Sequence, residues 1–401
     1  MKKKSWLYGL LVGVFILGST IISYAANPEK IMVGNISSFS GGSSIYGEDS
    51  RRAMTMAIEE INAIGGFDVA GKKYTFDVIH MDHKFQPSLA LSSYRRLVDL
   101  HGVHFIQQMG SMTGLAIMKY NEKDKVLLDI ISPADSLTLT GNQLVTDLPA
   151  RSNGNDPPVC AAAWKQGIKT MFILAEDTEF GRDHAEMIKV NFQKLGGKIL
   201  GTEFIQAVKG VDFMPVLTKI KGYNPDAVYI IAVEEPGARI AKQAREAGIV
   251  ANLLFTEHFK QKAIDIIGIG KLEGTLFTGG PLALISLNPP GTPKKYLEYR
   301  EKYLKRWPGA YLSATGLFGY TWLYYLAKAM QMTGTTTDVY KIRTVLSDAL
   351  KEGSSVIKYE GFTLGGRAYG MPIYILGIEK GAVKIVSVSP YPKELAAQGE
   401  K

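Results

Sequence analysis

Apolar and polar positions follow two alternating periods along most of the chain. Short apolar runs at 31–36, 74–81, 103–107 and 126–131 have the length of strands. Between them lie amphipathic stretches at 48–63, 87–100 and 111–119 that predict helices. The first carries Ala53, Met54, Ala57, Ile58 and Ile61 on one stripe. Glu48 and Asp49 are expected in its first turn, where they suit the positive helix end, and Gly65-Gly66 ends it. After a stretch at 132–158 that reads as loop, the pattern resumes. Strands are predicted at 169–175, 198–204, 227–233 and 252–256, with helices at 181–195, 213–221 and 236–247. Beyond Pro281 the pattern changes to helices at 293–307, 317–332 and 339–350. A strand pair at 373–378 and 383–388 follows, around the turn Glu379-Lys380-Gly381. Two runs of β-α-β units predict an α/β fold of two lobes, each a doubly wound parallel sheet with helices on both faces.

Length agrees with two domains, since 401 residues is more than twice the roughly 150 of a typical one. Apolar residues at 46% and aromatics at 10% exclude a disordered chain. One cysteine, Cys160, excludes an internal disulfide framework and a four-thiolate zinc site. Set among Ala161–Ala163, it reads as a small buried helix residue. The net charge of +8 owes part of its size to Lys2, Lys3 and Lys4. The remaining basic residues are scattered, so no nucleic-acid stripe is expected.

Those three lysines open a secretory signal peptide pattern over residues 1–25. An uncharged apolar segment runs from Leu7 to Ile22, and Ser23-Tyr24-Ala25 sets small residues at −3 and −1 of a cut before Ala26. No cysteine follows the apolar segment, so a lipid anchor at that cut has no thiol to use. Export in soluble form to the periplasm is expected.

In open parallel sheets ligands bind beyond the carboxyl ends of strands. The loops there hold the candidates. Ser111 stands where a helix begins after a strand, and free N–H groups plus a hydroxyl there suit an anion. An ordinary helix cap is the alternative. Glu257 ends a short apolar strand in the other lobe, where a carboxylate could hold an ammonium group. Enzyme signatures are missing: there is no GxSxG elbow, and Gly268-Ile269-Gly270-Lys271 fails as a phosphate loop because Leu272 follows. His80 and His83 would point to opposite faces of a strand, and His101 and His104 lie across a helix–strand junction, so no metal site is expected. A binding protein without catalysis or cofactor is favoured over an α/β enzyme.

The motifs, taken in order, carry a resemblance. Tyr46-Gly47 is followed by Glu60-Ile61-Asn62-Ala63-Ile64-Gly65-Gly66-Phe67 and then by Phe180-Gly181. Val211-Asp212-Phe213, Asn224-Pro225-Asp226 and Gln243-Ala244-Arg245-Glu246-Ala247-Gly248 come after. This order resembles the leucine/isoleucine/valine-binding type of periplasmic solute-binding protein, which delivers its ligand to an ABC importer. The resemblance covers nearly all of the chain after residue 25. It implies the type I periplasmic binding fold, with lobe 1 built from 26–149 plus 280–361 and lobe 2 from 150–279 plus 362–401. Three crossovers would act as a hinge. It also implies a permease partner, a small-molecule ligand, no nucleic acid and a monomer. A ligand-sensing protein shares the same fold.

The resemblance places a ligand carboxylate at Ser111 with Thr113 beside it, and gives Ala134 a backbone carbonyl and Ser136 a hydroxyl for the ligand. Tyr46 and Phe180 supply aromatic rings, the latter in place of a tyrosine. Glu257 falls where the ligand ammonium is bound, which favours an α-amino acid, branched-chain or related. Glu234 puts an acid where a tyrosine is expected, and Phe39-Ser40-Gly41-Gly42 replaces the usual Pro-Leu-Thr-Gly. These departures leave an amine-free aromatic acid or an amide as alternatives. The signal pattern predicts that protein recovered from the periplasm begins at Ala26 on N-terminal sequencing; Met1 retained in a membrane fraction would contradict it.

Overall fold

The computed structural model describes residues 27–41, 43–206, 211–353 and 356–400. The signal peptide pattern at 1–25, its cut site and Gly42 lie outside them. The first lobe starts with strand β1 (Glu29–Ser37), helix α1 (Ser44–Ala63), β2 (Phe67–Val69) and β3 (Lys72–Asp82). Helix α2 (Pro87–Arg95), β4 (Phe105–Met109), α3 (Ser111–Met118), β5 (Leu127–Ile131) and β6 (Val145–Thr146) follow. These six strands form one sheet in the order β2-β3-β1-β4-β5-β6. All its pairs are parallel except β2 against β3.

The second lobe holds α4 (Ser152–Lys165), β7 (Thr170–Glu176), α5 (Glu179–Lys194), β8 (Lys198–Ile205), α6 (Met214–Tyr223) and β9 (Ala227–Ile231). Then come α7 (Glu234–Glu246), β10 (Asn252–Phe255), α8 (Gln261–Ile267) and β11 (Leu276–Gly279). Helices α9 (Pro281–Leu287), α10 (Lys294–Arg306), α11 (Ala314–Thr333), α12 (Val339–Thr344) and α13 (Leu346–Gly353) precede a short pair, β12 (Gly361–Phe362) and β13 (Ala368–Tyr369). Strands β14 (Pro372–Glu379) and β15 (Ala382–Pro390) and helix α14 (Lys393–Ala396) end the chain's regular structure. The second sheet runs β15-β14-β11-β10-β9-β7-β8, parallel from β11 to β8 and antiparallel at β14 and β15. The two parallel-sheet lobes expected from the alternation are present.

Three local expectations change. Helix α1 begins at Ser44, a turn before residue 48, so Glu48 and Asp49 are not in its first turn. Asp49 is instead buried against the start of α11. It accepts from Ser313 N at 2.9 Å, Ser313 Oγ at 2.7 Å and Gly316 N at 2.9 Å. The acid does complement a helix N-terminus, but that of a neighbour. The stretch 132–158 is not all loop. Helix α4 starts at Ser152 and runs through Pro157 and Pro158. The prolines disguised it, because each removes a backbone donor. The helix predicted at 339–350 is two, α12 and α13, separated at Val345.

One buried guanidinium ties the segments that link the sheets. Arg367 Nη1 lies 3.0 Å from Asp147 Oδ2, and both side chains are wholly buried. Nη1 also donates to Ser132 O at 2.9 Å and Pro149 O at 3.0 Å, and Nη2 donates to Ala134 O at 2.8 Å. The backbones of the two segments are knitted as well, Asp147 N to Gly366 O and Ala368 N to Asp147 O, each at 2.8 Å. Removing the fork strands a buried carboxylate and three carbonyls. Arg367→Met is expected to cost about 3–5 kcal/mol in denaturant unfolding. Arg367→Lys should recover only part, because an ammonium has no planar fork. A loss under about 1 kcal/mol would show that the hub is dispensable.

Candidate functional site

Sheet order selects where a site can form. In the first sheet β1 lies between β3 and β4, so the connections that follow β1 and β4 leave on opposite sides and open a crevice above these two strands. In the second sheet the same reversal falls between β7 and β9. Tyr46 and Ser111 follow β1 and β4; Phe180 and Glu234 follow β7 and β9. Each lobe thus sends an aromatic residue and a polar residue to its own crevice.

The two aromatics arrive in the same way. Gly47 and Gly181 come directly after Tyr46 and Phe180. A Cβ on Gly47 would stand 2.0 Å from Ser38 O, and one on Gly181 1.9 Å from Glu176 O. Only glycine lets the helix start lie against the carbonyl at the strand's end. Thr178 caps α5 by accepting from Gly181 N at 3.1 Å. The Tyr46 and Phe180 rings then meet the same partner, His258, with centroids 6.4 Å and 5.1 Å away and edge-to-face.

The second-lobe wall is acidic. Glu234 is the first residue of α7 and almost fully buried. Its Oε2 accepts from the Tyr311 hydroxyl, which comes from the segment leading into α11. Its Oε1 is buried and meets no donor among the described residues. Burial, together with Glu234 and Glu176, pushes the Tyr46 phenol up. Glu176 accepts from Val233 N at 3.1 Å, and burial raises its carboxyl. Lys260 is buried nearby, with Nζ 5.7 Å from the Tyr46 ring centroid. Burial lowers it, opposed by Glu234, Glu257 and Asp49.

Glu257 is backed by a histidine. His184 Nδ1 lies 2.9 Å and 2.8 Å from the two Asp156 oxygens, and Nε2 lies 3.8 Å from Glu257 Oε1. Burial alone would lower this imidazole, but Asp156, Glu257 and Asp183 outweigh it and raise it to about 9. It is an imidazolium at neutral pH. Glu257 Oε2 is buried and meets no donor among the described residues. His258 is held neutral by burial, with its imidazole lowered to about 4.

The first-lobe wall is built of neutral donors. Ser111 is the first residue of α3, with Gly110 at the cap position and no side-chain capping bond, so the ordinary cap is not its role. Its Oγ lies 2.6 Å from Ser132 Oγ. Ser136 Oγ is buried and has no partner among the described residues. Two other expected ligand groups bond within the protein. The Thr113 hydroxyl donates to Met109 O at 2.8 Å, in its own turn, so this side chain braces the loop rather than lining the cleft. The Ala134 carbonyl accepts from Arg367 Nη2, which leaves its second lone pair for a further donor.

The expected residues therefore fall into two groups. Tyr46, Phe180, Glu234 and Glu257 come together through His258, His184 and Tyr311. Ser111, Thr113, Ala134 and Ser136 gather at the ends of β4 and β5. Sequence reading missed His184, Lys260 and Tyr311. His184 is four residues after Phe180 on α5 and so shares its face, a spacing that could have shown it. Lys260 lies in the same strand-end loop as Glu257. Tyr311 had no local signal.

Comparison with known proteins bears on this geometry. A family profile described as periplasmic binding protein matches residues 30–381. A Leu/Ile/Val-binding protein of Citrobacter freundii is 25% identical over 276 residues, covering 67% of this chain and 72% of the relative. The leucine binding protein LivK of Thermotoga maritima has a TM-score of 0.72 at 21% identity, over 89% of this chain and 98% of that one. A solute binding protein from R. palustris, solved in complex with benzoate, has a TM-score of 0.76 at 14% identity, over 92% and 98%. These two structures share the fold. Profile and strand order agree that this chain belongs to the periplasmic binding protein family.

Proposed function

We propose that this chain is the extracytoplasmic capture component of an ABC importer and that its two lobes close on a zwitterionic α-amino acid. The observation that carries this reading is Glu257 Oε2, a buried carboxylate oxygen without a donor. A carboxylate oxygen buried without a donor is costly, and a ligand ammonium would supply one. The opposite wall suits the other end of a zwitterion. There the Ser111–Ser132 hydroxyl pair, the unpartnered Ser136 hydroxyl and the open first turn of α3 offer neutral donors to a carboxylate. The relatives named for leucine, isoleucine and valine binding favour the same ligand class.

The proposed lobes are 26–149 plus 280–361 and 150–279 plus 362–401. The placement of β1–β6 in one sheet and β7–β11 with β14 and β15 in the other supports that division. Hinge closure, docking of the closed monomer to permease subunits and removal of residues 1–25 on export belong to the same reading.

A second reading has its own observation. His184 is charged and lies 3.8 Å from Glu257, so part of the Glu257 charge is already balanced. That favours an amine-free carboxylate, as in the R. palustris protein solved with benzoate.

Two substitutions separate the readings. Ser111→Ala removes a bond to a charged group, about 1.5–3 kcal/mol, and should weaken binding roughly ten- to a hundred-fold. Its melting temperature should hold, because Ser111 makes no cap bond. Unchanged affinity in a calorimetric titration would remove Ser111 from the site. Glu257→Gln should abolish most affinity for leucine or phenylalanine and spare their 2-keto analogues. Amino-acid binding that survives the change, or a wild type that binds only amine-free acids, would favour the second reading.

A further inference from the structure

Two oppositely charged side chains in the cleft wall are almost wholly buried yet do not bond to each other. Glu234 is 3% exposed and Lys260 2%. One Glu234 oxygen is held by Tyr311; the other, Oε1, is buried with no donor among the described residues. Lys260 Nζ makes no hydrogen bond or ion pair within 4.0 Å among the described residues. The Tyr46 ring centroid lies 5.7 Å from it, and Glu234, Glu257 and Asp49 act on it electrostatically. Glu234 acts electrostatically on Lys260 although the two make no ion pair, so a buried acceptor oxygen and an ammonium stand near each other without a bond. An acceptor oxygen buried without a donor is costly, and a ligand donor set between it and the ammonium would relieve it.

We propose that Glu234 and Lys260 form a second polar subsite that takes the side-chain carboxamide of an amino acid. The amide N–H donates to Glu234 Oε1 and the amide C=O accepts from Lys260 Nζ. The inference rests on the amino-acid reading above and names the side chain that reading leaves open. A carboxamide fits because the pair has no net charge and presents one acceptor and one donor. A second ligand ammonium would be set beside Lys260, and a second carboxylate beside Glu234 and Glu257. An aliphatic side chain would leave both protein groups unpaired, the situation in which a site rejects an analogue most strongly. Tyr311 fixes the Glu234 carboxylate from the other lobe, so the subsite is complete only when the lobes are together.

The test is calorimetric titration of the purified protein with L-glutamine, L-asparagine, L-leucine and L-glutamate, and with amine-free glutaramic acid against hexanoic acid. At least one of the amide amino acids should bind roughly ten- to a hundred-fold tighter than leucine and glutamate. Glu234→Gln and Lys260→Met should each cut the ratio of amide to leucine affinity at least about ten-fold. Selectivity of the wild type is read without any variant, so misfolding of a variant does not mask the result. Leucine bound as tightly as both amides, equal loss for leucine and amide in Glu234→Gln, or no binding of any amide would overturn the subsite. Leucine binding without amide binding would leave the amino-acid reading standing and remove the subsite. Preference for glutaramic acid over hexanoic acid, lost in Glu234→Gln and seen without amino-acid binding, would do the reverse.

Discussion

Arg367 is the constraint on which the cleft depends. Its guanidinium holds Asp147 and Pro149, on one segment between the sheets, and Ser132 and Ala134, in the loop that carries the hydroxyl wall. A planar fork with several fixed donors can satisfy that many acceptors at once; an ammonium cannot. Burial pushes the Asp147 carboxyl up and Arg367 opposes it, so the two are kept together by mutual need rather than by surface attraction. The same side chain that ties the linking segments therefore sets the position of Ser132, and through it Ser111. Lobe geometry and ligand geometry share one anchor.

The chemistry of the cleft follows from the two strand-order reversals. Each delivers an aromatic ring through a helix start too tight for any residue but glycine at positions 47 and 181. The rings converge on His258, kept neutral by burial, which gives the cleft an apolar middle. Polarity is then divided: hydroxyls and an open helix turn on one side, carboxylates with Lys260 and the His184 imidazolium on the other. A wall that keeps unpartnered carboxylate oxygens is poorly suited to an empty, dry cleft and well suited to one filled by a donor-bearing ligand.

Much of this was legible in the chain. Strand-length apolar runs and amphipathic stretches located most strands and helices, because most β-α-β units of both lobes follow the two periods. The failures have physical causes. Pro157 and Pro158 hid α4 because tertiary packing there overrides the missing donors. Asp49 was assigned to the wrong helix end because the end it serves is over 260 residues further along the chain. The bonds from the Thr113 hydroxyl to Met109 O and from Arg367 to the Ala134 carbonyl are also set by the fold, since local sequence does not report direction. Tyr311 reaches Glu234 only through the fold.

The central claim is that the cleft between the lobes holds a zwitterion. Mass spectrometry of the small molecules released when protein purified from its native periplasm is denatured measures this directly. The account predicts a stoichiometric α-amino acid. Release of an amine-free aromatic or aliphatic acid in its place would contradict it.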